Sequence, residues 1–299
     1  MNFDLIIVRY GEIALKGKQI RRRFEDTLIS NIKNVFKQEN LKVRFKKEWG
    51  RIYIYSANIS ECLKILQKTF GIISISPAFK TISDINKISK IAVDISKEKI
   101  NENKSFAVRA TRTGNHDFSS QDVSIRLGND IIKKTKASVN LSNPEFILYV
   151  EIRDKNSYIF TEKIFCVGGL PLGTQGSIIT LIDSYSSILA AWYLMKRGCK
   201  ITFLIKNKAY ESTLRNFLKK WYIKPNIQIT NKKESLSKII GQDFFDAVVT
   251  NHSLFEKDEN TLKEMKQIKK DIKIPILSPL ISMTKDEINS NCKKIGLPV

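Results

Sequence analysis

Four glycines and a proline fall within the nine residues Gly168-Gly-Leu-Pro-Leu-Gly-Thr-Gln-Gly176, a composition that no helix or strand periodicity survives. This stretch splits the 299-residue chain into two parts with different hydrophobic patterns. It reads either as a linker and hinge over residues 167–176 or as a backbone wall around a ligand. Upstream, residues 3–10 form an apolar run closed by a turn at Gly11, and Ile20, Phe24, Leu28, Ile32 and Val35 or Phe36 then recur at helical spacing. Strands are expected at Val43–Phe45 and Ile52–Tyr55, a helix over Ser60–Thr69 and a strand over Phe70–Ser76. Strand, helix, two strands, helix, strand is a ferredoxin-like order and assigns residues 1–78 to one domain.

The next module, residues 79–166, is α+β: a helix over Ile85–Ile100, a strand at Ser105–Ala110, a helix from about Gln121 to Lys134, and strands at Phe146–Ile152 and Ser157–Lys163. Beyond the glycines the pattern changes. Strands at Ser177–Ile182, Lys200–Ile205, Asn226–Thr230, Phe244–Thr250 and Ile274–Leu277 alternate with helices, or with helix-forming residues, which predicts a doubly wound parallel sheet of α/β class over residues 177–299.

Charge sets the class of partner. Lysine and arginine number 51 against 30 acidic residues, and the net +21 is spread as +8 over residues 1–78, +4 over 79–165 and +9 over the remainder. A cationic surface running across several folded modules suits a polyanion better than a basic tail would. The longest apolar run, near Ile188–Met195, is far short of a membrane span, and Asp4 and Arg9 arrive before any signal-peptide core, so the expected location is the cytoplasm, with no membrane partner. Cys62, Cys166, Cys199 and Cys292 are too scattered for a local Cys-x-x-Cys pair, and no metal site is expected.

Arg109-Ala-Thr-Arg-Thr-Gly-Asn-His-Asp-Phe-Ser-Ser120, followed by Gln121 and Asp122, concentrates anion-binding chemistry. Arg109 and Arg112, with a Thr-Gly turn, offer forked donors to phosphate oxygens, while Ser119, Ser120 and Gln121 can cap a helix and present its N–H groups. A charged loop with an ordinary helix cap satisfies the same residues. His116 reads as a hydrogen-bonded structural residue rather than a catalyst. In the first module Lys16, Lys18 and the run Arg21, Arg22, Arg23 crowd the start of a helix, where cations oppose the helix dipole and an anionic ligand would offset that cost.

Five ordered segments resemble one family. They are Arg9-Tyr-Gly-Glu-Ile-Ala-Leu-Lys-Gly-Lys18, Phe70-Gly-Ile72 with Ser76-Pro77, Phe106 through Phe118, the glycine-rich Gly168–Gly176, and Met195-Lys-Arg-Gly198. The chain is similar along nearly its whole length to THUMP-containing tRNA 4-thiouridine synthetases, the tRNA sulfurtransferases of thiamine biosynthesis type. That resemblance implies a ferredoxin-like domain and a THUMP domain gripping the tRNA acceptor stem and 3′ end, then a PP-loop ATP-pyrophosphatase domain. It implies ATP, with Mg, as cofactor. Lys16, Lys18, Arg21 to Arg23, Arg109, Arg112 and His116 are the residues expected to meet RNA, since A-form stems are held through phosphates, 2′-hydroxyls and shape.

The family's Ser-Gly-Gly-Xaa-Asp-Ser loop, whose glycines let backbone N–H groups wrap ATP phosphates, is not matched. Counted back from Lys196-Arg-Gly198, its place is Ile182-Asp-Ser-Tyr-Ser-Ser187, with Asp183 and Ser184 at the glycines, Ser186 at the acid and Ser187 alone agreeing. Shifting by three aligns Ile182-Asp183-Ser184 but restores no glycine. Asp183 adds repulsion toward a triphosphate, Leu181 or Tyr185 crowds the approach, and the serines also suit a plain helix cap. Further on, Thr250 and Ser253 agree with the family while Asn251 and His252 replace its usual Gly-Glu. Pro279–Ile288 and Lys294-Ile-Gly296 resemble the last shared segment, the family's sulfur-carrying cysteine is not found after Cys292, and Cys292 itself reads as a buried small hydrophobe.

The expected function is tRNA binding in, or derived from, tRNA thiolation, with a degenerate PP-loop domain serving as scaffold or partner surface for a separate catalytic or sulfur-donor protein. The alternative is an active ATP-dependent sulfurtransferase with a rebuilt loop and sulfur supplied by another protein. A third reading is a structural RNA-binding protein outside tRNA modification. A homodimer is left open, and no catalytic residue is assigned.

Overall fold

The computed structural model describes residues 2–205, 208–230, 244–255, 266, 270 and 272–298. The chain forms two compact units: Met1–Arg9, Phe36–Gln67 and Ser74–Cys166 make the first, and Tyr10–Val35, Lys68–Ile73 and Val167–Val299 the second. Helix α1 (Lys18–Gln38) contributes to both.

In the first unit, strands β1 (Leu5–Arg9), β2 (Arg44–Glu48), β3 (Arg51–Tyr55), β4 (Ser74–Ile82), β5 (Ser105–Thr113), β6 (Ser138–Val139), β7 (Phe146–Arg153) and β8 (Asn156–Phe160) make one sheet in the order β2-β3-β1-β4-β8-β7-β5-β6. A short β9 (Ile164–Phe165) pairs on β4. The strand that joins the two sequence modules is β4. Its first half pairs antiparallel with β1, from Leu5↔Ala78 to Arg9↔Ser74, and its second half with β8, from Phe79↔Ile159 to Ile82↔Asn156. The boundary expected at residue 78 therefore falls inside one continuous strand. That strand starts at Ser74 rather than Phe70, because Phe70 packs in the second unit.

Helices α2 (Ile59–Gln67), α3 (Ile85–Lys99) and α4 (Ser120–Thr135) complete this unit. Asp84 caps α3 by accepting from the Lys87 N–H, the bond expected of an Asp at this position. Ile88, Ala92 and Ile95 of α3 and Val123, Leu127 and Ile131 of α4 pack on Phe106, Val108, Leu148, Val150, Ile152 and Ile159. Strand alternation sends the intervening residues of β7 and β8 to the opposite face, where Tyr158 and Phe160 join Leu5, Ile7, Tyr53 and Ala78.

That second face is strongly curled. Strands β3 and β8 stand three places apart, about 14 Å if the sheet were flat. Yet the rings of Tyr53 and Tyr158 stack with centroids 4.5 Å apart. Four places separate β3 from β7, and still Arg51 Nε donates to Glu151 Oε1 at 2.7 Å. Glu151 also meets Arg153 Nη1 at 3.2 Å and Arg9 Nη2 at 3.4 Å, and Arg153 Nη2 donates to the Trp49 carbonyl at 2.9 Å. One buried carboxylate thus fastens three strands across the curl.

The second unit carries a parallel sheet of β10 (Ser177–Ile182), β11 (Lys200–Ile205), β12 (Ile227–Ile229), β13 (Ala247–Val249) and β14 (Ile276–Leu277), ordered β12-β11-β10-β13-β14. Helices α5 (Tyr185–Lys196), α6 (Glu211–Lys220) and α7 (Lys285–Lys294) belong to it. The helix-forming residues expected between β12 and β13 lie largely in 231–243, outside the described residues. Phe70 lies against this core, stacked on Trp221 at 5.8 Å and edge-on to Trp192 at 6.0 Å.

The glycine-rich stretch is not a free hinge. Gly168 donates to Ile72 O and accepts from Gly71 N, Leu170 N donates to Lys196 O, and Gly173 and Gln175 both donate to Gly198 O. Asn31 Nδ2 of α1 donates to Leu172 O at 2.9 Å. Glycine is required at 169, where φ is +78° and a Cβ would lie 2.0 Å from the Lys196 carbonyl oxygen. The expected linker is a strap fixed along its length to the second unit.

Removing the Glu151 carboxylate leaves partly buried guanidinium groups facing one another. Glu151→Ala is therefore expected to lower stability by roughly 3–5 kcal/mol, read from urea unfolding, while Glu151→Gln, which keeps an acceptor, loses less.

Candidate nucleic-acid interface and nucleotide crevice

The arginine-rich segment is more ordered than its polarity suggests. Strand β5 continues through Thr113, pairing parallel with β7 as far as Thr113↔Arg153, so Arg109 and Arg112 both sit on a strand. An odd spacing on a strand sends them to opposite faces. They do not make one fork, and the Thr113-Gly114 turn follows them both. Arg109 Nη2 donates to the Leu141 carbonyl, and Arg112 Nη1 to the Gly114 carbonyl at 3.0 Å.

Gly114 has a φ of +101° and a Cβ there would lie 2.4 Å from Asp154 Oδ1, so the turn depends on glycine. His116 Nε2 lies 2.7 Å from the Asp154 carbonyl, which can only accept, so this nitrogen carries the proton; Nδ1 faces Arg112 Nη1 at 3.5 Å. The imidazole ties its loop to the β7–β8 turn. Ser119 is the N-cap of α4 in a capping box with Asp122, leaving Ser120 and Gln121 as the first two helical residues. The Ser119 N–H and hydroxyl hold the Asp122 carboxyl below the usual carboxylate range. This helix N-terminus thus already carries a carboxylate of its own.

Lys16, Lys18 and Arg21 to Arg23 belong to the second unit. Lys16 and Lys18 are exposed at the start of α1. The helix counters its own cations: Arg21 lies 3.9 Å from Glu25 and Arg22 3.9 Å from Asp26, both at i,i+4, and Arg23 lies over Phe24 at 5.4 Å.

Chain direction in the second sheet marks a crevice. From β10 the chain moves outward to β11 and β12, then returns to β13 on the other side of β10, so the switch point lies at the carboxyl ends of β10 and β13. Ligands of such sheets bind there. The loop after β10 supplies Asp183, Ser184, Ser186 and Ser187, and the residues after β13 supply Thr250, Asn251 and Ser253.

These side chains bond to one another. Ser184 is the N-cap of α5 and Ser187 completes a capping box, its Oγ accepting from the Asp183 and Ser184 N–H groups. Asn251 Nδ2 reaches across to Ser184 Oγ at 2.8 Å, Ser186 Oγ at 3.0 Å and Asp183 Oδ1 at 3.3 Å. Thr250 turns away to Ser278 at 2.8 Å, and Ser253 donates to Met283 O. Here the N–H groups that would wrap a phosphate already have hydroxyl partners, and an exposed carboxylate stands beside them. The only mark of Asn251's bridging role in the sequence is its departure from the family's Gly-Glu.

Leu181 is part of the sheet's packing rather than a wall of the crevice, and Tyr185 lies edge-on to Tyr210 at 5.7 Å. Cys292 is buried, 3.8 Å from the Tyr185 carbonyl, and burial pushes its thiol up to about 11. Among the described residues no group of acidic, histidine and cysteine side chains could hold a metal, and no helix is long and apolar enough to cross a membrane.

Comparison with known proteins matches residues 5–76 to the ThiI ferredoxin-like domain, 83–162 to the THUMP domain and 229–297 to the thiamine biosynthesis protein (ThiI). A probable tRNA sulfurtransferase of Methanobrevibacter smithii is 34% identical over 337 residues, covering 99% of this chain and 87% of the relative. The chain belongs to the tRNA sulfurtransferase family. A second such protein, from Acetivibrio thermocellus, is 35% identical and covers 98% and 84%. Among solved structures, a protein of Pyrococcus horikoshii aligns with a TM-score of 0.86 at 29% identity, covering 98% of this chain and 100% of that one. A 4-thiouridine synthetase in complex with RNA and bound ATP aligns with a TM-score of 0.81 at 29% identity, covering 99% and 85%. The fold of this sulfurtransferase-family chain is therefore a ferredoxin-like domain, a THUMP domain and a parallel-sheet domain of ThiI type.

Burial predicts thiol behaviour. With Cys292 pushed up to about 11 and Cys166 to about 12, neither side chain is a thiolate near neutral pH. Native protein treated with a thiol-disulfide reagent at pH 8 should leave the buried Cys292 unlabelled in peptide mass spectra and label the half-buried Cys166 slowly, and Cys292 labelling should appear once denaturant opens the fold.

Proposed function

We propose that this chain binds tRNA and acts in tRNA thiolation, with its ThiI-type domain serving as a scaffold rather than as an ATP-using centre. Support for RNA comes from the THUMP domain, the net +21 charge spread across the modules, and the likeness to a 4-thiouridine synthetase solved with RNA. Lys16, Lys18, Arg21 to Arg23, Arg109 and Arg112 are the proposed phosphate contacts, with His116 and Ser119 to Gln121 shaping the loop and helix start between them. The observation that carries the scaffold reading is the closed crevice, where Asn251 and the Ser184–Ser187 capping box use the groups a phosphate would need.

A second reading has its own support, and the comparisons favour it: an active ATP-dependent sulfurtransferase making 4-thiouridine. The family relatives carry the name tRNA sulfurtransferase, and the structural neighbour holds ATP. On this reading Asp183, Ser184, Ser186, Ser187 and Thr250 belong to a rebuilt loop that opens when the nucleotide arrives, and sulfur comes from another protein.

One assay separates the two. Purified protein with ATP and unmodified tRNA is expected to bind the tRNA without releasing pyrophosphate or forming adenylated RNA. Turnover that disappears in Asp183→Ala or Ser187→Ala would establish the enzyme instead. For the RNA grip, Arg112→Ala should weaken tRNA binding and lower the salt slope of log K by about one, as the loss of one phosphate contact requires. An unchanged slope removes Arg112 from the interface.

A further inference from the structure

Helix α4 lies at the edge of the first unit. It packs over β5 and β6, the last strands of the sheet, while α3 packs over β4, β7 and β8. Asp130 marks the side of α4 turned to α3, because its Oδ2 accepts from Ser89 Oγ of that helix at 2.7 Å. Two residues on, Ile132 lies about 200° around the helix from Asp130, and Ile125 lies about 140° from it. Both isoleucines therefore face away from α3, and both are exposed, Ile125 at 55%. Gly128 lies between them on the same flank, and a Cβ built there would meet nothing within 4 Å. Val139 of β6 pairs with Phe106, a core residue beneath α4, so its exposed side chain lies on the helix-covered side of the sheet, and the exposed Leu141 follows it. Single exposed apolar residues are ordinary on a protein surface, but four gathered at one edge mark a contact surface.

The residues along α4 show what fits that surface. Ile125 and Ile132 are seven residues apart, two helical turns, and Asp122 and Lys133 are eleven apart, three turns. Each pair thus shares one side of the helix, and both pairs are centred on Gly128 to within half a residue. When a second copy of the helix lies end for end against the first, Ile125 meets Ile132 of the other copy and Asp122 meets Lys133 of the other copy. The two backbones then cross at Gly128, where no side chain holds them apart. A parallel arrangement would set acid against acid and lysine against lysine. The antiparallel pair is complementary in both shape and charge.

We propose that α4 is a self-association face, on which a second copy of this chain docks antiparallel about a two-fold axis at Gly128. Ile125 and Ile132 form its apolar centre, and Asp122 and Lys133 pair across its rim. A surface built on so few side chains gives a weak, concentration-dependent association rather than an obligate one. The proposal stands independently of the tRNA reading.

Sedimentation velocity of the full chain, from low micromolar to a few hundred micromolar, tests it. Wild-type protein should gain mass as concentration rises. Ile125→Asp and Ile132→Asp should each weaken that step about ten-fold or more, since each buries an acid where an apolar side chain sat. Lys133→Glu, which sets two acids together at the rim, should weaken it about three-fold. All three alter exposed side chains, and circular dichroism checks their folding. Gly128→Cys should form a disulfide-linked dimer under mild oxidation, because a residue beside a two-fold axis meets its own copy, whereas Lys90→Cys on the exposed face of α3 should not. Wild-type protein whose mass is unchanged by concentration refutes the proposal. So does an association that Ile125→Asp and Ile132→Asp leave intact, or cross-linking of Lys90→Cys as ready as that of Gly128→Cys, since either places the contact on another face.

Discussion

Glu151 holds the first unit in shape. Its carboxylate engages arginines from β1, β3 and β7, strands that a flat sheet would keep well apart, and the stacked Tyr53 and Tyr158 fill the space that the curl encloses. A buried acid among cations is a poor source of net stability compared with an apolar substitute, but it is directional. It fixes which strands meet across the curl, and the continuous β4 then carries that geometry from the ferredoxin-like part into the THUMP part. The helices α3 and α4 cover only the convex side.

The second unit shows a different division of labour. Its core and sheet order follow the doubly wound pattern, and its switch point lies where such folds place a ligand. At that point the described side chains bond to one another. Ser184 and Ser187 cap the start of α5, and the Asn251 amide donates to the Ser184 and Ser186 hydroxyls. Membership of the tRNA sulfurtransferase family accounts for the fold, and the side-chain arrangement at the switch point is a feature of this chain's own residues.

Much of the architecture can be read directly from the amino acids, because buried strands such as Leu5–Arg9, Ser177–Ile182 and Lys200–Ile205 and helices such as α3 and α4 have strong periodicity of their own. What escapes is set by partners distant in sequence. Thr111 to Thr113 look like loop residues and become strand because β7 lies beside them. Phe70 looks like the start of a strand and becomes a core aromatic because Trp192 and Trp221 await it. The glycines of the strap signal broken periodicity, yet their cause is close backbone approach at Gly169 and hydrogen bonding to Lys196 and Gly198. The Glu151 cluster draws on residues 9, 51, 151 and 153, which no local pattern links, and only sheet order unites them.

The composition of the second unit bears on how the chain is made. Tyr10–Val35 and Lys68–Ile73 leave the ribosome long before the strap and Trp221, their partners in the finished unit. Chains are synthesised from the N-terminus and early segments tend to settle as they emerge, but these two cannot complete their burial until the last third of the chain has appeared. The apolar face of α1 at Phe24, Leu28 and Ile32 and the ring of Phe70 thus wait in water during translation, and the sheet around Glu151, whose pieces end at Cys166, is the part able to form first.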